Sequence, residues 1–277
     1  MDVTISIVSY NTRELLRRCI KSIYKQTKGI EFEVIVVDNA SQDGTVDMVE
    51  REFKKVKLIK NMVNKYYTGA NNQSLKIAKG KYFLILNADT YFVDNSIKKI
   101  FDYMEKNKTV GAVEGLEIYE DGTLVPNGSK FSTPLLDFYE LSFIGKRFKN
   151  RKMIDEYRIV NKRRNETFDI DVGCDAFLMV RKSIMGKIGG YDDNLLLYYT
   201  ENDLCLRIKK SGYKIMHIGN ARVIHKVSAS VEKLGWRKTD IYYNDLLCYY
   251  KKHGFAISGK LLYILLKFEE VVLRIIK

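Results

Sequence analysis

Proline is nearly absent from this chain, and so are long apolar runs. Two Pro and 18 Gly among 277 residues exclude collagen-like, mucin-like and linker-rich polypeptides. No stretch approaches the roughly 18 to 20 uncharged apolar residues that a membrane span requires, so no transmembrane segment is expected. Met1 is followed by Asp2 and a strand-like run, without the layout of a signal peptide. Only four cysteines occur, Cys19, Cys174, Cys205 and Cys248, far apart and with no C-x-x-C pair. That spacing suggests no zinc site, and buried reduced thiols of a cytosolic protein are expected.

What is present is material for a core, with 46% hydrophobic and 12% aromatic residues, enough for one large domain or two small ones. Basic residues exceed acidic ones, 47 Lys+Arg against 34 Asp+Glu, for a formal charge of +13. Such a surplus admits a nucleic-acid partner, an anionic lipid surface, or a lysine-rich surface without a partner.

Along the first ninety residues strand and helix patterns alternate. Val3 to Ser9, Phe32 to Val37, Val56 to Ile59 and Tyr82 to Leu86 read as strands. Helices are expected after Thr12, over Gly44 to Phe53 and over Ala70 to Ala78. This rhythm predicts an α/β fold with a parallel sheet covered by helices on both faces. Ligands of such sheets bind beyond the carboxyl ends of the strands, where Ser9, Asp38 and Asn87 fall. From Val110 the rhythm shortens. Lys146 to Arg164 is strongly basic, with little apolar periodicity, and is expected to be irregular. Structure is expected again over Asp169 to Val180, in a helix from near Asp203, in strand pieces around Ile215 and Val223, and in helices from about Leu234.

Four clusters could carry chemistry. Asp38, at a strand end before Asn39 to Thr45, can accept hydrogen bonds from a nucleobase or ribose, or simply shape the loop while Asp43 caps the next helix. Asn87 and Asp89, two residues apart, can hold Mg²⁺ or Mn²⁺ together with a diphosphate, although many loops contain such a pair. In Tyr198 to Arg207, Asp203 suits a helix cap. Glu201, just outside that helix, is then left without a structural task and could serve as a general base. His225 follows a short strand and is either a satisfied structural residue or a metal ligand.

In order and context these motifs resemble the inverting glycosyltransferases of family 2 with a GT-A fold, especially the rhamnosyltransferase and galactofuranosyltransferase-like subset. The resemblance runs from about Val3 to Ser230. It rests on Ile7 to Asn11, Val36 to Ser41 with Asp43 to Thr45, Asn64 through Gly69 to Asn72, and Leu86 to Thr90. Further on it includes Gly173 to Arg181, Ile188 to Asp192, Glu201 to Arg207, Gly212 with Tyr213, and His225 with Ser230.

The resemblance implies a Rossmann-like nucleotide-binding half over 1–109, an acceptor half over 110–233, and a helical C-terminal extension over 234–277. Ser9, Tyr10 and Asp38 would form the base pocket, and Asn64, Asn71 and Asn72 would line the donor. Asp89 and His225, with Asn87, would bind the cation, Glu201 would be the catalytic base, and Asp203 would position acceptor or helix. Two departures stand out: Asn87 replaces the first acid of the family's D-x-D, and Thr200-Glu201 replaces an acidic pair. Asp175 is an unusual acid with no assigned role.

The implied activity is transfer of a sugar from a nucleotide-diphosphate sugar to a glycan or polyprenyl-diphosphate-linked acceptor in cell-surface polysaccharide synthesis. The expected place is the cytoplasm, peripheral on the inner face of the membrane. A dinucleotide oxidoreductase would need Gly-x-Gly-x-x-Gly where Ser9 to Glu14 stands. A processive synthase would need membrane spans and Gln-x-x-Arg-Trp, which the surroundings of Trp236 do not match. The remaining alternative is a catalytically inactive transferase-like basic protein on a membrane or nucleic acid. Given the motifs, nucleic acid becomes an unexpected partner. In the C-terminal segment Leu261, Leu262, Leu265, Phe268, Val272 and Ile276 can share an apolar face. That face would dock on the catalytic domain or a second copy, or lie at a lipid surface with Lys260, Lys267, Arg274 and Lys277 toward the headgroups. Glu269 and Glu270 weigh against lipid.

Overall fold

The structure is a computed structural model that describes residues 1–226 and 237–276; Ser230, Leu234 and Trp236 lie outside the described residues. The first half runs β1 (Val3–Ser9), α1 (Arg13–Gln26), β2 (Phe32–Asp38), α2 (Thr45–Glu52), β3 (Lys57–Lys60), α3 (Tyr66–Ile77), β4 (Tyr82–Asn87), β5 (Thr90–Tyr91), α4 (Ser96–Lys106) and β6 (Val110–Ile118). The second runs α5 (Pro134–Leu141), α6 (Phe143–Arg147), α7 (Arg151–Tyr157), β7 (Thr167–Ile170), β8 (Phe177–Arg181), α8 (Lys182–Ile188), α9 (Thr200–Lys210), β9 (Lys214–His225), α10 (Arg237–Lys252) and α11 (Ala256–Ile276).

The nine strands among the described residues form one sheet in the order β3-β2-β1-β4-β8-β6-β9-β5, with β7 on β9. The pairings among β3, β2, β1 and β4 are parallel, whereas β8 runs antiparallel to both β4 and β6. Strands β1, β2 and β4 are buried on both faces, which is why their sequences read as continuous apolar runs rather than alternating ones. On one face Leu16, Ile20 and Ile23 of α1 and Ile97 and Ile100 of α4 pack against Ile5, Val34 and Leu84. On the other, Leu204 and Ile208 of α9 and Ile184 of α8 pack against Phe83, Ile85 and Val180.

Several boundaries differ from the sequence reading. Helix α3 begins at Tyr66, four residues before Ala70. The pieces around Ile215 and Val223 are one strand, β9, interrupted by a register shift against β6 between Gly115 and Leu116. At that irregularity Gly219 approaches the Asn165 backbone so closely that a Cβ would lie 2.2 Å from its carbonyl carbon. The stretch from Lys146 to Arg164 is not irregular throughout. It contains the end of α6 and all of α7, started by the Asn150 side chain accepting from the Met153 N–H. Because α7 buries only Ile154, it shows no amphipathic period.

The C-terminal helices form a third core with the loop before α9, in which Leu246, Tyr249, Tyr250, Leu262 and Leu266 enclose Leu195 and Tyr199. The apolar positions of α11 do not share one face. Leu262 and Leu266 are buried, while Leu261 and Phe268 are exposed. Among the described residues no helix is long and apolar enough to cross a membrane.

Candidate active site

Strands β1, β2 and β4 end side by side, with Val8 opposite both Val37 and Asn87. Beyond these ends opens a cleft lined by Tyr10, Asn39, Asn64, Tyr66, Asn87 and Asp89, among others. Asp38 is buried at the end of β2; its Oδ2 accepts from the Ser41 N–H at 2.9 Å, and its Oδ1 has no partner. A buried orphan acceptor is costly, and an N–H or hydroxyl of a ligand would satisfy it. Asp43 does serve the helices, with Oδ2 accepting from the Arg13 N–H of α1 and Oδ1 from the Thr45 N–H of α2.

The other residues expected around the donor divide. Tyr10 and Asn64 line the cleft. Ser9 is buried with its hydroxyl 2.9 Å from that of Thr12. Asn71 is buried and occupied by Ser6 and the Tyr67 carbonyl. Asn72 ties α3 to the Tyr191 backbone in both directions and to Asp193. The side chains of these three make hydrogen bonds within the frame around the cleft.

Strand β5 pairs with the end of β9 so that Thr90 lies opposite His225. This register brings Asp89 to His225 across half the chain. His225 Nδ1 is 2.5 Å from Glu117 Oε2 of β6, and its Nε2 lies 3.2 Å from Asp89 Oδ1 yet is buried without a hydrogen-bond partner. Burial opposes a charged ring here, but Asp89 and Glu117 outweigh it and raise the His225 pKa to about 9. Positive charge is therefore favoured between these carboxylates, and a divalent cation can supply it in place of a proton. The Glu117 bond on Nδ1 leaves Nε2 as the coordinating nitrogen, the usual carboxylate–histidine–metal relay. Among the described residues no three His, Cys, Asp or Glu side chains form a closed cage. Two protein donors beside Asn87 suit Mg²⁺ or Mn²⁺, which complete their shells with water and phosphate oxygens. Glu117 was not singled out from the sequence, although an acid within the buried strand β6 is a readable signal.

Glu201 does not lie outside the helix. It is the second residue of α9, after Tyr199 in left-handed conformation with φ 56°. Non-glycine residues with such backbone among the described ones are Asn11, Ala40, Tyr66, Ile159 and Tyr199. Tyr66 lines the cleft at the strand ends and Ala40 follows the cleft residue Asn39, and strain of this kind concentrates where a structure holds functional groups in place. Burial pushes Glu201 above the usual carboxylate range, although its own backbone N–H and the Thr200 hydroxyl, 3.0 Å away, act in the opposite sense. It lines a second cleft of about 680 Å³ together with Asn127, Cys174, Arg158, Lys162 and Arg164.

Asp175 stands between the two clefts. The next residue, Ala176, accepts through its carbonyl from the Asn87 N–H, while the Asp175 carbonyl accepts from Tyr67, a residue of the donor cleft. Burial first, and then the Glu201 charge, push its carboxyl well above the usual range; Tyr191 donates to Oδ2 at 2.8 Å.

Asp203, by contrast, is buried against Arg207, Lys252 and His253 and fastens α10 to α9; it does not line the Glu201 cleft. A second residue missed in the sequence, Asp245 of α10, accepts the backbone N–H groups of Leu196, Leu197 and Tyr198 at 2.8 to 2.9 Å. It thereby fixes the loop that leads into Glu201.

Residues 4–189 match the family model described as glycosyl transferase family 2. The chain belongs to glycosyltransferase family 2. This member is 33% identical over 133 residues to a UDP-Glc:α-D-GlcNAc-diphosphoundecaprenol β-1,3-glucosyltransferase of Escherichia coli, covering 48% of the chain and 51% of that relative. It is 24% identical over 231 residues to an N-acetylglucosaminyl-diphospho-decaprenol L-rhamnosyltransferase of Mycobacterium tuberculosis, covering 79% and 74%. The chain thus spans about half the length of the first relative. Among solved structures, a mannosyltransferase of Pyrobaculum calidifontis, in complex with GDP-Man and Mn²⁺, aligns with TM-score 0.62 at 17% identity over 98% of this chain and 74% of that one. The fold of this family 2 member is accordingly GT-A.

Proposed function

We propose that this protein transfers a sugar, with inversion, from a nucleoside-diphosphate sugar to a hydroxyl of a polyprenyl-diphosphate-linked glycan, for a cell-surface polysaccharide. The observation that carries the proposal is the β5–β9 register, which sets Asp89, a lining residue of the cleft, 3.2 Å from Nε2 of His225 while Glu117 holds Nδ1 of the same ring. The acceptor class follows the relatives in Escherichia coli and Mycobacterium tuberculosis, both named for diphosphate-linked polyprenol acceptors. We place its work on the cytoplasmic face of the membrane, where such donors and acceptors meet.

In this reading Asp38 accepts from the base or ribose, Tyr10 and Asn64 flank the nucleotide, and Asp89, His225 and Asn87 hold a divalent cation. When bound, the cation offsets negative charge on the departing nucleoside diphosphate. Glu201 takes the proton of the acceptor hydroxyl as its oxygen attacks the anomeric carbon, and its raised pKa makes it a stronger base than an ordinary carboxylate. One displacement inverts that carbon.

The test is release of nucleoside diphosphate from a panel of nucleotide sugars, with Mn²⁺ and a polyprenyl-diphosphate-linked sugar as acceptor. Acceptor-dependent turnover that Glu201→Gln lowers by about 10²–10⁴-fold is expected. Wild-type protein inert toward every donor would instead favour the catalytically inactive reading.

A further inference from the structure

The segment from Leu141 to Tyr157 contains five cations, Lys146, Arg147, Lys149, Arg151 and Lys152, against two acids, Asp155 and Glu156, which lie in the last turns of α7 after all five cations. All five are exposed, and none forms an ion pair among the described residues. Between them Phe143 and Phe148 of the α6 region stand 68% and 70% exposed, with Ile144 beside them.

Helix α11 adds a second apolar surface. Ile257, Leu261, Ile264, Phe268 and Val271 recur at intervals of four and three residues, so they share one face, and every one of them is exposed. The opposite face is already packed through Leu262 and Leu266. A helix apolar on both faces has a partner on each. The two surfaces meet at Glu269, whose carboxylate accepts from the Phe143 N–H at 2.7 Å, the Ile144 N–H at 3.0 Å and the Ser142 hydroxyl at 2.8 Å. This clamp fixes the start of α6, and with it Phe143, on α11 one residue from exposed Phe268. It also removes an objection raised by the sequence, because Glu269 is buried as a cap and Glu270 is paired with Lys267.

We propose that α6, α7 and the outer face of α11 form one docking surface for an anionic lipid bilayer. The aromatic and aliphatic side chains enter the headgroup boundary, and the five unpaired cations meet lipid phosphates. Charge complementarity selects this occupant over a second copy of the chain: a copy would bring the same uncompensated cations against themselves, whereas an anionic surface neutralises them. The placement also serves the second cleft. The chain leaves α7 at Tyr157 and supplies Arg158, Lys162 and Arg164 to the lining of the Glu201 cleft. A diphosphate at the bilayer surface therefore meets a cation-lined entrance. This last point rests on the transferase reading, whereas the docking surface does not.

The experiment is flotation of full-length protein with vesicles of phosphatidylglycerol and phosphatidylethanolamine, against vesicles of phosphatidylcholine alone. Binding to the anionic vesicles is expected. Lys146→Glu with Arg147→Glu and Lys149→Glu should weaken it by on the order of 10²-fold, at about 1 kcal/mol per cation. Phe143→Ser with Phe148→Ser, and separately Leu261→Ser with Phe268→Ser, should each weaken it at least about 10-fold. Unchanged urea midpoints show that these surface variants remain folded. The proposal is overturned by absent flotation, by equal binding to both vesicle types, or by variants that bind as wild type does. It is overturned equally by a dimer in sedimentation that Leu261→Ser with Phe268→Ser dissolves. Because flotation needs no turnover, its failure is separate from failure of the donor panel.

Discussion

At the scale of single residues, the site depends on carboxylates whose surroundings set different tasks. Glu201 is half-buried at the wall of its cleft, and desolvation pushes its carboxyl up, which suits proton transfer. Asp203, two positions on, is held well below the usual range: burial opposes its charge, but His253, Arg207 and Lys252 outweigh that cost. Because its folded pKa lies below its unfolded one, the stability it contributes is complete above about pH 4 and is lost as pH falls through the folded pKa. Asp203→Asn should therefore cost about 3 kcal/mol at neutral pH, with the gap to wild type narrowing at about pH 3. Urea unfolding at the two pH values measures this, and a gap that widens in acid would refute the assignment. Glu117 acts through His225. Glu117→Gln should weaken Mn²⁺ binding by about 10–100-fold, read by calorimetric titration with nucleoside diphosphate present, and a variant that binds Mn²⁺ as wild type does would refute the relay. The sequence pointed to Glu201, Asp89 and His225 because each ends or begins an element. Glu117 and Asp245 were not paired with their functions because their partners lie more than 45 residues away; an acid inside an apolar strand marks Glu117 as unusual, but nothing local names His225 as its partner.

At the scale of elements, local pattern was readable wherever burial is periodic. The strands of the parallel sheet and α1 stand where their apolar spacing put them, whereas α7, with one buried side chain, did not announce itself. Helix α9 begins at Thr200 because the loop before it is held from outside. Asp245 accepts three of its N–H groups, and the Tyr199 hydroxyl is 2.5 Å from Asp137 of α5. Asp245→Ala should loosen this loop, costing about 2 kcal/mol or more of stability. It should also lower kcat and, because Leu197 lines the first cleft, weaken donor binding, which steady-state kinetics and thermal shift with nucleotide sugar measure. Strand β1 approaches the turn before β4 so closely that a Cβ on Gly80 would lie 2.3 Å from the Thr4 nitrogen. Gly80→Ala must displace backbone, and a loss of about 1–3 kcal/mol in chemical denaturation is expected.

At the scale of the whole molecule, the C-terminal helices are a buttress as much as an extension, since α10 holds the Glu201 loop and α11 caps α6. Removal of the chain after 233 should therefore abolish turnover even where donor binding persists, and a truncated protein with wild-type kcat would contradict this coupling. The charge of +13 also takes a position: five cations without ion pairs among the described residues gather on α6, α7 and the turn between them, and three more basic residues line the Glu201 cleft. By itself the sequence determined the alternating strand and helix rhythm, the place of Ser9, Asp38 and Asn87 at strand ends and the family resemblance, because these depend on local periodicity and short motifs. Only the tertiary structure decided that Glu117 braces His225, that Asn71, Asn72 and Asp203 serve the frame, and that α11 has an inner and an outer apolar face. Those outcomes depend on strand register and helix packing between residues far apart in the chain, which no local spacing encodes.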